Sequence, residues 1–141
     1  MPGAPDDVSE KMASGRITGK ASGDWGEARV ADYLRERGCT IVASQYRCRF
    51  GEIDLIARDG QTLCFVEVKE RRGTDYGLPR EFVTAAKRRR LCTTARYYLS
   101  THDPDAQCRF DVAEVYADAG RTPEGTRIEY IENAFWDEGR I

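Results

Sequence analysis

The sequence predicts an α/β domain, a central mixed β-sheet of about five strands flanked by helices. Three observations carry that expectation. Two stretches place apolar residues at helical spacing, and five shorter runs are apolar or alternating in the manner of strands. The elements follow one another as helix, three strands, helix, two strands, an order that a helix-covered mixed sheet accommodates. Between the second and third strands, Arg58-Asp59-Gly60-Gln61 carries the Asp-Gly pair of a tight hairpin.

Each element has its own signal. Residues 1–20 are rich in Gly, Ser, Pro and charge without periodicity, and read as a flexible N-terminal arm before a single domain over 21–141. From Gly23 to Arg37, Glu27, Val30, Ala31 and Leu34 fall on one helical stripe, and Gly38 supplies the stop. Ile41, Val42, Tyr46 and Phe50 mark a strand over 40–50, and the hairpin strands run from Glu52 to Ala57 and Leu63 to Lys69. A loop with Gly73, Gly77 and Pro79 leads to a second helix, Thr84 to Ser100, with Leu91, Ala95 and Tyr98 on its apolar stripe. Arg109 to Ala117 and Thr126 to Ile131 close the sheet.

Composition narrows the function. The 141 residues hold 22 Lys and Arg against 24 Asp and Glu, a formal charge of -2, so the protein is not basic overall. The charge is unevenly spread. Residues 69–96 carry 9 basic and 3 acidic groups, whereas residues 97–141 carry 4 and 10. The basic middle is either a surface for an anionic partner or a solvated helix face with a charged loop. No apolar run reaches the roughly 18–20 residues of a membrane span, and the N-terminus has no hydrophobic signal stretch, so a cytoplasmic location is expected. Five cysteines at wide spacings, with His102 as the sole histidine, do not form a zinc-binding pattern. They read as reduced, buried thiols, and His102 reads as part of a polar turn.

The chemistry concentrates on the hairpin. With Asp59-Gly60 as the two-residue turn, Glu52 lies opposite Glu67 and Asp54 opposite Phe65. Glu52, Asp54, Glu67 and Lys69 then project from one face. Asp54 and Glu67 are diagonal neighbours, about 7–8 Å apart at most, within bridging reach of one cation. The acids are embedded in apolar sequence, Ile53-Asp54-Leu55-Ile56 and Phe65-Val66-Glu67-Val68, and Glu27 shares the inward stripe of the first helix. Converging acids repel one another unless a hard divalent cation joins them. Mg²⁺, with Mn²⁺ as a substitute, suits such carboxylates and keeps other positions for water and phosphate.

These residues carry a resemblance. Gly51-Glu52-Ile53-Asp54-Leu55-Ile56-Ala57 followed by Phe65-Val66-Glu67-Val68-Lys69 resembles the PD-(D/E)xK nuclease signature, with Ile53 in place of the proline. Gly26-Glu27-Ala28, Tyr46 through Glu52, Val83-Thr84 through Leu91, Arg109-Phe110-Asp111-Val112 and Ile131 through Phe135 extend the likeness over about Gly23 to Phe135. The whole pattern is similar to the bacterial YraN-like family of inferred endonucleases, related to Holliday junction resolvases. The resemblance implies a restriction-endonuclease-like fold, with Asp54, Glu67 and Lys69 as the catalytic set and Glu27 as the helix acid. Asp54, Glu67 and Glu27 would be the metal ligands.

The expected function is a metal-dependent endonuclease acting on phosphodiesters in structured, branched DNA. Lys69 would orient the attacking water and stabilise charge. Glu52 is either an outer residue of the site or merely the partner across from Glu67. Arg71, Arg72, Arg80, Lys87, Arg88, Arg89 and Arg90 would hold the nucleic acid through its phosphates, and Tyr76 offers a ring for stacking. The resolvase likeness makes a homodimer an option. Two alternatives stay open: a catalytically silent nucleic-acid-binding module, and a protein-interaction domain that uses the acidic C-terminal third.

Overall fold

The computed structural model describes residues 21–71, 84–122 and 124–137. The expected arm at 1–20 and most of the loop after the third strand therefore lie outside the described residues. Helix α1 (Ala21–Glu36) comes first, then strands β1 (Thr40–Cys48), β2 (Gly51–Asp59) and β3 (Thr62–Arg71). Helix α2 (Ala85–His102) and strands β4 (Gln107–Tyr116) and β5 (Arg127–Phe135) complete the chain. The strands lie side by side in sequence order in one mixed sheet, antiparallel except for the β3–β4 pair. A parallel pair needs a crossover, and α2 provides it.

Two apolar layers hold the helices on opposite faces. Beneath α1, Val30, Ala31 and Leu34 meet Leu55, Ala57, Cys64, Val66 and Val115. Beneath α2, Leu91, Cys92, Ala95, Tyr98 and Leu99 meet Ile53, Ile56, Leu63, Phe65 and Phe110. Each fully buried aliphatic side chain contributes about 1.5–3 kcal/mol, so the two apolar stripes suffice to fix both helices on the sheet. Gly38 ends α1 at φ +91, while the Cys39 and Gly38 amides donate to the Leu34 and Arg35 carbonyls, each at 3.0 Å. Thr84 caps α2 by accepting the Lys87 amide at 3.1 Å.

The structure corrects the hairpin register. Asp59 pairs with Thr62 and Leu55 with Val66, so the two-residue turn is Gly60-Gln61 rather than Asp59-Gly60. Gly60, at φ +64, takes the first central position, where a II′ turn places glycine. The shift of two residues removes Glu52 from opposite Glu67, and on its other side Glu52 pairs with Arg47 of β1. The strand pleat is also broken. Ile53 packs beneath α2 but Leu55 beneath α1, although strict alternation would place them on one face. The break falls at Asp54, and Gln45, between the residues of β1 that pair with Ile53 and Leu55, has φ +54.

Two smaller expectations are also revised. Only Cys64 and Cys92 are buried, while Cys39, Cys48 and Cys108 are half-buried. His102 belongs to the last turn of α2, stacked on Tyr98 with ring centroids 4.0 Å apart. The helix thus extends past Ser100, because the His102 ring finds an apolar partner four positions back.

Candidate active site

The site forms where β2 and β3 part. Their pairing ends at Leu55 and Val66, and beyond it the Asp54 side chain spans the gap, its Oδ2 accepting the Val68 N–H at 2.8 Å. Glu67, at 7% exposure, lies in β3 immediately beyond the last pair. Glu27 reaches in from the second turn of α1, carried by the stripe that buries Val30 and Leu34. Asp54 therefore lies between the other two acids, close enough for its charge to act on Glu27 and for that of Glu67 to act on it.

Their electrostatics show how poorly water serves them. Burial, and next the Asp54 charge, pushes the Glu27 carboxyl up to about 8. Burial, and next the Glu67 charge, pushes Asp54 up to about 6, against the Val68 amide and the Lys87 charge that favour its ionised form. The contact between the two carboxyls favours the protonated form of Glu27 and the charged form of Asp54.

Two residues beside these acids are not read from the sequence as their partners. Gln45 donates through Nε2 to Asp24 at 2.6 Å and to Glu27 at 3.2 Å. Its positive φ, uncommon for a residue with a side chain, brings the amide under α1. Asp24 adds a fourth carboxylate at the margin. In the sequence Gln45 reads as an ordinary polar residue of a strand, and nothing flags its backbone.

Lys87 is the second surprise. Grouped with the arginines that follow it, it is expected on a nucleic-acid surface. Instead its Nζ pairs with Glu67 Oε2 at 2.7 Å. The Thr84 cap sets the first turn of α2, so Lys87 points to the sheet while Arg89 and Arg90 are exposed. Arg71 is also turned inward, its Nη2 3.1 Å from the buried Glu114. Lys69, two residues beyond Glu67, is half-buried, aligned with Glu114 of β4, and pairs with no acid among the described residues. Glu52 is exposed and bonded to Arg47 at 2.8 Å, outside the cluster. Arg72, Arg80 and Tyr76 lie outside the described residues.

The donor set fits a hard divalent cation. All the donors are carboxylate oxygens, two of them are pressed together and partly desolvated, and neither zinc's imidazole nor its thiolates are present. Among the described residues no group of three acid, His or Cys side chains is placed to hold a metal ion. Mg²⁺ needs only one or two carboxylates from a protein and fills its shell from water and substrate.

Comparison with known proteins places the chain in a family. The family model described as uncharacterised protein family UPF0102 matches residues 26–115, which include Glu27, Asp54, Glu67, Lys69 and Lys87. The chain is similar to a UPF0102 protein of Syntrophus aciditrophicus (strain SB), 49% identical over 81% of this chain and 87% of the relative. A UPF0102 protein of Nocardia farcinica (strain IFM 10152) is 48% identical over 88% of this chain and the relative's full length. A third, from Symbiobacterium thermophilum, is 50% identical over 80% of this chain and 94% of the relative.

Proposed function

The chain belongs to the UPF0102 (YraN-like) family, and from that premise we propose that it is a metal-dependent endonuclease of the PD-(D/E)xK kind. Its substrate would be a phosphodiester in structured DNA, branched forms included. The observation that carries this reading is the crowding of Asp54 between Glu27 and Glu67 at the break between β2 and β3, with Lys69 two residues beyond Glu67. Like charges held together in a half-dry pocket cost stability, and a ligand that neutralises them is the simplest physical reason for the arrangement.

Asp54 and Glu67 would hold Mg²⁺ or Mn²⁺, with Glu27 as a further ligand once it gives up its proton. When bound, the cation supplies a polarised phosphoryl oxygen and a water of lowered pKa. Asp54 is aimed by the Val68 amide, so its oxygen is fixed before any ligand arrives. Gln45 holds Glu27 in the same way. Lys69 would provide a fixed positive charge for the attacking water and the developing negative charge of the transition state. Phosphate contacts along the substrate would fall to the exposed arginines at the start of α2.

A panel of end-labelled linear, flapped, single-stranded and four-way-junction DNAs tests the reading directly. Cleavage with Mg²⁺ or Mn²⁺, absent in Asp54→Asn, is the expected result and would name the preferred structure. One observation favours a second reading, a silent binding module: the Lys87 ammonium already neutralises Glu67. DNA binding without cleavage in either metal would establish that alternative.

A further inference from the structure

On the side of α2 away from the acids lies a groove of about 390 Å³ that the proposed reaction leaves unused. One wall is a single helical stripe, Arg88, Arg89, Thr93 and Arg96, and the other is Trp136 and Asp137, just past the end of β5. Arg96 donates from Nε and Nη2 to the two Asp137 oxygens at 2.7 and 2.6 Å. This two-pronged bond fastens the segment after β5 onto the helix. It holds Trp136 beside the arginines with 65% of its surface exposed.

We propose that this groove binds single-stranded nucleic acid, one base stacking on Trp136 and the neighbouring phosphates lying along Arg88 and Arg89. The proposal rests on the nucleic-acid half of the proposed function, not on cleavage. A large indole held in solvent beside an anchored Asp137 side chain is well suited to stacking. Among the described residues, the side chains lining the groove carry three positive charges and one negative, a balance that attracts a polyanion. Arg88 and Arg96 are eight residues apart, about 12 Å along the helix axis, room for more than one phosphate.

The chain has two tryptophans, Trp25 and Trp136, so the difference in emission between the full-length protein and Trp136→Phe reports on Trp136 alone. Titration with a labelled 12-residue oligo-dT, followed by Trp136 quenching and by anisotropy of the label, is the test. Quenching is expected, with a log–log salt slope of roughly −1.5 to −2 for two or three neutralised phosphates. Trp136→Ala should weaken binding about 5- to 100-fold, Arg89→Ala should lower both affinity and salt slope, and Asp54→Asn should bind at least as well. Anisotropy showing binding with no Trp136 quenching, or with both groove variants unchanged, would overturn the groove and leave the nuclease reading standing. Quenching retained where no DNA is cleaved would keep the groove and remove the nuclease. Stronger quenching by poly-glutamate than by oligo-dT would replace nucleic acid with an acidic peptide and overturn the proposal.

Discussion

Two groups of buried acids occupy the neighbouring strands β3 and β4 and their surroundings, and the protein treats them in opposite ways. Asp111 and Glu114 of β4 are both fully buried. Asp111 receives Arg109 Nε at 3.1 Å on both oxygens, the Tyr130 hydroxyl at 2.5 Å and the Asn133 amide at 2.8 Å. Glu114 receives Arg71 at 3.1 Å and the Tyr116 hydroxyl at 3.0 Å. Among the described residues Glu27, Asp54 and Glu67 share one ammonium, one glutamine amide and one backbone N–H, and two of them press on each other. A buried carboxylate is therefore no mark of function by itself. The mark is an acid whose counter-groups fall short, left for a ligand to complete.

The largest expected effect comes from breaking the satisfied group. Asp111→Ala would strand the Arg109 guanidinium and leave Tyr130 and Asn133 without their acceptor, so a loss of about 3–5 kcal/mol in urea unfolding is expected. A loss below about 1 kcal/mol would mean that Arg109 finds Asp59 and Glu132, which already stand 3.3 and 3.7 Å away, an adequate replacement. Asp54→Asn should do the reverse. Removing one charge from the crowded group leaves stability unchanged or raised, while cleavage falls at least ~100-fold, about 2.7 kcal/mol of barrier. If both variants simply unfolded to the same degree, the distinction between the two groups would collapse.

The next effect is a pH dependence confined to the crowded group. Folded Glu27 and Asp54 hold their protons up to about pH 8 and 6, against about 4.5 and 3.8 ordinarily. Between those values the folded chain binds more protons than the unfolded chain, so stability falls as pH rises. The contribution is full below about pH 4 and is lost through pH 6 and then 8. A decline in Tm on the order of 5 °C between pH 5 and 8 is expected without metal. Mg²⁺ replaces the protons, so its stabilisation should grow across the same interval. A Mg²⁺ shift that is flat with pH would indicate binding elsewhere.

Legibility in the sequence follows the same division. The stripes Val30-Ala31-Leu34 and Leu91-Ala95-Tyr98 announce both helices because a helix must bury one face and the sequence displays it. Asp54, Glu67 and Glu27 stand out in the sequence because an acid inside an apolar run is costly to bury unless a partner, a proton or a cation meets it. The register is not, since Asp-Gly is compatible with two turn positions and only the backbone of Gly60 decides between them. Gln45 stays hidden because a positive φ leaves no trace in an ordinary polar residue. Lys87 looks continuous with Arg88 to Arg90 as one basic run, yet helical geometry turns successive residues by about 100° and sends them to different neighbours.

The smallest effect separates Glu52 from Glu67, two acids that the expected register places face to face. Glu52 has an exposed side chain and one exposed partner, Arg47, at 2.8 Å. Exposed pairs of this kind contribute about 0.2–1 kcal/mol, since water solvates both charges nearly as well apart. Glu52→Gln should therefore cost at most about 0.5 kcal/mol and leave both cleavage and the Mg²⁺ shift in Tm at wild-type levels. Glu67→Gln, three-dimensionally a neighbour of Asp54 and Lys87, should abolish the Mg²⁺ shift. It also frees Lys87 to pair with Asp54, which would hold the site closed to a cation. Parallel titration of the two glutamine variants with Mg²⁺ decides the matter: equal loss of the shift would return Glu52 to the site, and loss in Glu67→Gln alone would confine the site to acids that the fold leaves short of partners.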